Sequence, residues 1–348
     1  MHVPDGFINA PVSAAAGVVA AGAVAVSLRG ARRELDERTA PLAGLVAAFI
    51  FAVQMLNFPV AAGTSGHLLG GALAAILVGP CTGVLCLSVV LLMQGILFAD
   101  GGLTALGVNI LDMGITTTVV AYALFRGLLH VLPRTRRSVT AASFVAALVS
   151  VPAAAVVFTL IYWIGGTTDI PIGKVFTAMA GVHVLIGIGE ALITALTVGA
   201  VIAVRPDLVH GAHGLTAPLK LRVGGELVDA PARETAPVAR STRKVWVTGL
   251  VTALVLAGFV SFYASASPDG LEKVAADQGI DKKAEPHASK DSPLADYGVR
   301  DVSDARVSGG LAGVIGVGAT IVVGSGVFWA VRRRRTADAL AMRTEETV

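Results

Sequence analysis

Val175-Phe-Thr-Ala-Met-Ala-Gly-Val-His183-Val-Leu-Ile-Gly-Ile-Gly-Glu190-Ala-Leu-Ile-Thr-Ala-Leu-Thr-Val-Gly-Ala-Val-Ile-Ala-Val204 contains only two ionisable side chains. A helix that crosses a bilayer needs about 20 mainly apolar residues, so this stretch reads as a membrane span. The rest of the chain repeats the pattern. Of its 348 residues 54% are hydrophobic and 15% charged, against about 25% charged in a soluble domain. The formal charge of +3 does not indicate a nucleic-acid partner, because the basic residues sit in short runs between apolar blocks.

Working outward, spans are predicted at Ile8 to Leu28, Pro41 to Phe58, Thr104 to Phe125 and Val139 to Ile164. Leu68 to Phe98 is too long for one helix. Gly79-Pro80-Cys81-Thr82-Gly83 breaks it into two, the first too short to cross at full thickness. Beyond Val204 lies a stretch from Arg205 to Lys244 rich in Pro, Gly, Arg and Glu, read as a cytoplasmic linker. Two more spans follow, near Val245 to Tyr263 and Gly309 to Val331. The expectation is an all-α polytopic membrane protein: a seven-helix unit over 1–204, the linker over 205–244, and a two-helix unit over 245–348. No long-period internal repeat is present.

Basic loops stay on the cytoplasmic side. Arg29, Arg32, Arg33 and Arg38 follow the first span; Arg126, Arg134, Arg136 and Arg137 follow the fifth; Arg205, Lys220 and Arg222 follow the seventh. The alternate loops carry only Lys174. Parity places the N-terminus, the His67 loop and the Asp100 loop together outside. The acidic segment between the last two spans falls on the same side, and Arg332 to Arg335 hold the C-terminus inside. The N-terminus lacks a basic region before its apolar stretch and does not read as a cleavable signal. The bulk of His2 should hinder removal of Met1.

A metal site needs convergent donors, and the outer side offers His2 and His67. A histidine at position 2 is special: the α-amine of Met1, the backbone amide of His2 and its imidazole can close two fused chelate rings. The imidazole of His67 would complete four nitrogens in a plane, a geometry suited to Ni(II) or Cu(II). Pro4 lies just beyond the chelate and stiffens the segment. Gly63 and Gly66 permit close backbone approach at the second histidine. The plainer reading is that a second-position histidine is solvated and a loop histidine is ordinary polar surface. His183 and Glu190 share a helix face and are either functional, as ionisable groups at membrane depth usually are, or a structural pair. Gln54, Gln94, Asn109 and Asp112 suit interhelical hydrogen bonds. Cys81 and Cys86 have no metal-ligand spacing. No Gly-x4-Gly-Lys-Ser/Thr motif occurs, since Gly173-Lys174 is followed by Val175, so the chain should not hydrolyse ATP itself. With no His-Glu-x-x-His either, nothing supports a protease, and no enzyme activity is expected.

Four stretches resemble the CbiM/NikM substrate-capture components of energy-coupling factor transporters: Met1-His-Val-Pro-Asp-Gly-Phe7, Gly63-Thr-Ser-Gly-His-Leu-Leu-Gly-Gly-Ala-Leu73, Phe98-Ala-Asp-Gly-Gly-Leu-Thr-Ala-Leu-Gly107 and Gly181-Val-His-Val-Leu-Ile-Gly-Ile-Gly-Glu190. Ser267-Pro-Asp-Gly-Leu-Glu-Lys-Val-Ala275 resembles the PDGLE domain, an auxiliary two-helix unit found with NikM proteins, and Ser292-Pro-Leu-Ala-Asp-Tyr-Gly298 looks like its second motif. The resemblance implies a cell-membrane protein whose Met1, His2 and His67 hold Ni(II) or Co(II) as transported substrate. It implies no bound organic cofactor. The partners it implies are a transmembrane coupling protein and ABC-type ATPase subunits. The PDGLE-like tail tilts the reading toward nickel. Alternatives are cobalt-specific uptake for cobalamin synthesis, or a membrane metal sensor or chaperone that does not transport. The acidic outer segment is expected to act on the capture unit's outer face without binding metal tightly itself.

Overall fold

The computed structural model describes residues 1–35, 39–61, 63–133, 135–212, 220–223, 226–229 and 241–345. Asp36, Glu37, Arg38, Arg134 and His213 lie outside the described residues, as does most of the segment read as a linker. Nine apolar helices appear among the described residues. Seven are long enough to cross a membrane: α1 (Ala10–Glu34), α4 (Pro80–Leu97), α5 (Leu106–Val131), α6 (Arg136–Gly165), α7 (Ile172–Val204), α8 (Arg243–Tyr263) and α10 (Ala305–Arg333). Two are shorter, α2 (Thr39–Gln54) and α3 (Gly71–Val78). The chain is a multi-pass, mostly helical membrane protein. Valines at 18, 26 and 322, Leu196 and Trp163 are exposed on the outer faces of these helices. Such side chains are stable only against lipid.

α2 and α3 form the centre. α2 is buried along most of its length, with Phe51 fully enclosed, and α3 is buried throughout. The eight residues of α3 rise about 12 Å, well short of a bilayer of about 30 Å. The break expected at Gly79-Pro80 is present. Pro80 opens α4 where no N–H is needed, and Glu34 at the end of α1 accepts from Cys81 N at 3.1 Å and from Thr82 N at 2.7 Å. α8 and α10 pack on α2, so the C-terminal pair is attached to the body of the bundle.

The structure departs from the sequence reading in four places. The second span stops at Gln54 instead of Phe58, and the chain turns into an antiparallel hairpin of β1 (Phe58–Ala61) and β2 (Thr64–Gly66). The segment read as a plain linker contains a second hairpin, β3 (Lys220–Val223) with β4 (Glu226–Asp229). Within α5, Ile110–Thr116 forms a π-helical stretch. The loop between α8 and α10 also holds a short amphipathic helix, α9 (Gly270–Gln278).

Candidate metal centre

The first nine residues do not extend into solvent. Met1, His2 and Val3 are 3%, 8% and 0% exposed. Asn109 on α5 clamps Val3 from both sides: Val3 N donates to its Oδ1 at 2.7 Å and its Nδ2 donates to Val3 O at 3.1 Å. Gly102 N donates to the same carbonyl at 2.9 Å. Asp5 accepts from Thr104 N at 2.8 Å, so it secures the Ala99–Leu103 loop over the segment. Gly101 has φ +78°, and a Cβ there would lie 2.9 Å from Asn109 Nδ2 and 3.3 Å from His2 Cβ. Only glycine allows the loop this close.

Met1, His2 and His67 come together. The α-amine of Met1 is 2.8 Å from His67 Nε2, and the two imidazoles stack with centroids 5.2 Å apart. Two nitrogens in adjacent corners of a square around a metal at roughly 2 Å lie about 2.8 Å apart. The His2 backbone N–H has no hydrogen-bond partner among the described residues, which is uncommon for a buried amide.

The hydrogen bonds also decide which ring nitrogens carry lone pairs. A backbone carbonyl can only accept. Gln54 Nε2 therefore donates to Leu69 O at 2.9 Å, leaving Gln54 Oε1 to accept from Gln94 Nε2 at 2.9 Å. That leaves Gln94 Oε1 facing His2 Nε2 at 3.0 Å. The proton of His2 must then be on Nε2 and the lone pair on Nδ1, the nitrogen that closes a six-membered ring with the amide. His67 Nδ1 lies 2.9 Å from Leu68 O, so its proton is there and its lone pair is on Nε2, facing the amine. His2 Nδ1 in turn sits 3.3 Å from Asp100 Oδ1. These two acceptors face each other as donors around a cation do. Burial holds His2 at a pKa of about 4, only partly offset by Asp100, so its ring is neutral near pH 7.

Sequence reasoning missed a fourth member. Asp269 Oδ2 accepts from the Met1 amine at 2.6 Å and lies 3.6 Å from His67 Nε2. Donor atoms of His2, His67 and Asp269 all fall within 4.8 Å of one another. Burial by itself would raise the Asp269 carboxyl, but the adjacent ammonium outweighs it and holds it well below the usual carboxylate range. Its other oxygen accepts from Glu272 N, and Glu272 returns a bond to Asp269 N, a capping box that starts α9. Edge contacts bring it there: Ser65 N on β2 donates to Pro268 O at 2.8 Å. The legible signals were its place in the Ser267-Pro-Asp-Gly-Leu-Glu272 stretch and the Asp-x-x-Glu pattern, which reads equally well as a plain helix start.

The other candidates have separate places. Glu190 accepts from Leu69 N at 2.5 Å and Gly70 N at 2.9 Å, holding the turn beside His67. His183 is not paired with it. Its Nδ1 lies 2.8 Å from Met179 O, and its buried Nε2 has no partner among the described residues. Gln54, Gln94 and Asn109 do make long-range hydrogen bonds, two of them directly to the N-terminal segment. Asp112 does not, since neither of its oxygens has a partner among the described residues. His130 lies near the far end of α5, bonded to Arg126 O. Cys81 and Cys86 are free.

Residues 2–208 match the family described as the cobalt uptake substrate-specific transmembrane region. The chain belongs to this CbiM family. Residues 243–333 match the PDGLE domain, so CbiM and PDGLE units are joined in one chain. Among its relatives, a metal transport protein of Haloquadratum walsbyi is 38% identical over 209 residues, 60% of this chain and 93% of that one. A fused nickel transport protein NikMN of Archaeoglobus fulgidus is 38% identical over 210 residues, 60% of this chain and 68% of that one. A crystal structure of a truncated transition metal transporter is similar with a TM-score of 0.51 and 27% identity, covering 58% of this chain and 99% of that chain. The chain is thus a membrane component of transition-metal transport.

Proposed function

We propose that this CbiM-family chain captures Ni(II) at the outer face of the cell membrane and delivers it as substrate to an ATP-driven importer. The four donors are the Met1 amine, the His2 amide nitrogen, His2 Nδ1 and His67 Nε2. The observation that carries the reading is the pair of fixed tautomers: the lone pair of His67 Nε2 faces the buried amine, and that of His2 lies on Nδ1, the ring nitrogen the chelate needs. A square of strong-field nitrogens favours a d8 ion, whose ligand-field gain offsets the cost of deprotonating an amide. Nickel is supported further by the fused nickel transport protein among the relatives. Energy must come from outside the chain, because its sequence has no P-loop. The partners are accordingly a transmembrane coupling protein and ABC-type ATPase subunits. The basic-loop rule supports an N-terminus outside and a C-terminus inside. Residues 1–204 act as the capture unit and 245–348 as its auxiliary, joined through 205–244.

Calorimetric titration of the purified chain with Ni(II) and Co(II) tests the metal. The nickel complex should be yellow and diamagnetic, and nickel should bind more tightly than cobalt. An octahedral paramagnetic spectrum would contradict the four-nitrogen site. Uptake into vesicles with and without the ATPase partners tests transport.

A further inference from the structure

A cavity of about 560 Å³ lies between the two units of the chain. Its lining includes His2 and His67 at one end and carries four carboxylates, Asp100, Asp269, Glu272 and Asp296, against one arginine, Arg306. Low-dielectric walls around charge of one sign concentrate ions of the opposite sign. Asp269 stands where this space meets the nitrogen donors, 2.6 Å from the amine. Behind it Met1, His67, Asp269 and His183 line a gap too small to hold a water. There the buried Nε2 of His183 carries a lone pair, since its Nδ1 proton is fixed on Met179 O, and it has no partner among the described residues.

The motif that places Asp269 fits this task. Pro268 O receives Ser65 N on the strand before His67. Gly270 allows α9 to lie against α7: a Cβ there would sit 2.8 Å from Ile186 Cδ1 and 3.1 Å from His183 Cε1. Leu271 is fully buried, and Glu272 completes the cap. A helix start on the surface needs a capping oxygen but neither a buried amine partner nor a side-chain-free second residue. The surplus is directed at the metal donors.

We propose that Asp269 is the receiving carboxylate of the site: it takes the hydrated divalent ion from the cavity and passes it to the nitrogens of Met1, His2 and His67. This rests on the metal-capture reading above. A carboxylate oxygen is a ready ligand for a hydrated dication, and its position beside two nitrogen donors makes the transfer a short step. The PDGLE unit then contributes to the rate of loading, while the final complex remains four-nitrogen.

The test is rapid mixing of the full chain, beginning at Met1 with no added residues, with Ni(II), following growth of the square-planar absorption band. Asp269→Asn keeps a good N-cap residue and removes the charge. Its loading rate should fall about tenfold or more, with the same final band as the unsubstituted chain. Asp269→Glu should recover most of the rate. Added salt should slow the unsubstituted chain more than Asp269→Asn. Unaltered loading in Asp269→Asn, or equal salt dependence in the two chains, would overturn the proposal. So would a final band that changes with the substitution, which would make Asp269 a permanent ligand. If the unsubstituted chain forms no nickel band at all, the capture reading itself fails and takes this proposal with it.

Discussion

Replacing Asn109 with alanine leaves every proposed donor atom in place and removes only the clamp on Val3. Two hydrogen bonds are lost, at 2.7 and 3.1 Å, between residues that are 0% and 2% exposed. Each bond contributes about 1 kcal/mol net, and the stranded Val3 N–H adds a penalty of about 1–3 kcal/mol because no water reaches it. Val3 O keeps the bond from Gly102 N, so its loss is smaller. The sum, about 2–4 kcal/mol, falls on the docked form of the N-terminus, because the freed segment is hydrated. Metal binding requires that docked form, so the apparent affinity for Ni(II) should weaken by up to roughly 30- to 700-fold, the size being set by how far the metal-free N-terminus undocks. Isothermal titration of Asn109→Ala against the unsubstituted chain measures this directly. Spectra of the saturated complexes should match, since the ligands are unchanged. An affinity within twofold of the parent would refute the idea that the site is built by holding the N-terminus in position.

Adding one glycine before Met1 should abolish tight Ni(II) binding, because the amine is enclosed against His67 and Asp269; titration of a tag-free and an extended chain compares them, and equal affinity would remove the amine from the ligand set. His2→Ala and His67→Ala should each lose binding in the same assay, whereas His130→Ala should bind normally. Retained affinity in His67→Ala would sink the assignment. Thermal stability without added metal should fall in acid: the pKa of His2 falls from 6.5 unfolded to about 4 folded, so its contribution is present above pH 6.5 and lost as pH falls toward 4. That contribution is on the order of 3 kcal/mol. Asp269, held low by the ammonium, adds a further loss at lower pH still. His2→Asn should flatten the slope between pH 6.5 and 4, and an unchanged slope would show that other groups set it.

Length and composition made the spans legible, and Gly79-Pro80 made the break between α3 and α4 legible, because both depend on local chemistry. The π-helical stretch at Ile110–Thr116 left no trace in the sequence. His2 and His67 could be singled out because position 2 has a chemical meaning independent of the fold. Gln54, Gln94 and Asn109 were correctly taken as hydrogen-bonding residues, but their purpose could not be read. Their partners lie far away in sequence: Gln94 meets His2 and Asn109 meets Val3. Asp269 was hidden for a different reason. Its local pattern already had a sufficient explanation as a helix cap, so nothing called for the second role of its other oxygen.

The chain of amides from Leu69 O through Gln54 and Gln94 to His2 has a direction, set at one end by a carbonyl that cannot donate. What travels along it is a choice between two tautomers, made two side chains away from the ring that adopts it. Methionine at position 94 would have nearly the same length but no oxygen to accept the His2 proton, so the instruction would be interrupted with every nitrogen ligand still in place. Two members of this family with identical Met1, His2 and His67 can therefore differ in whether they present a usable chelate. Checking ligands alone would not separate them; the grammar of donors and acceptors behind the histidine would.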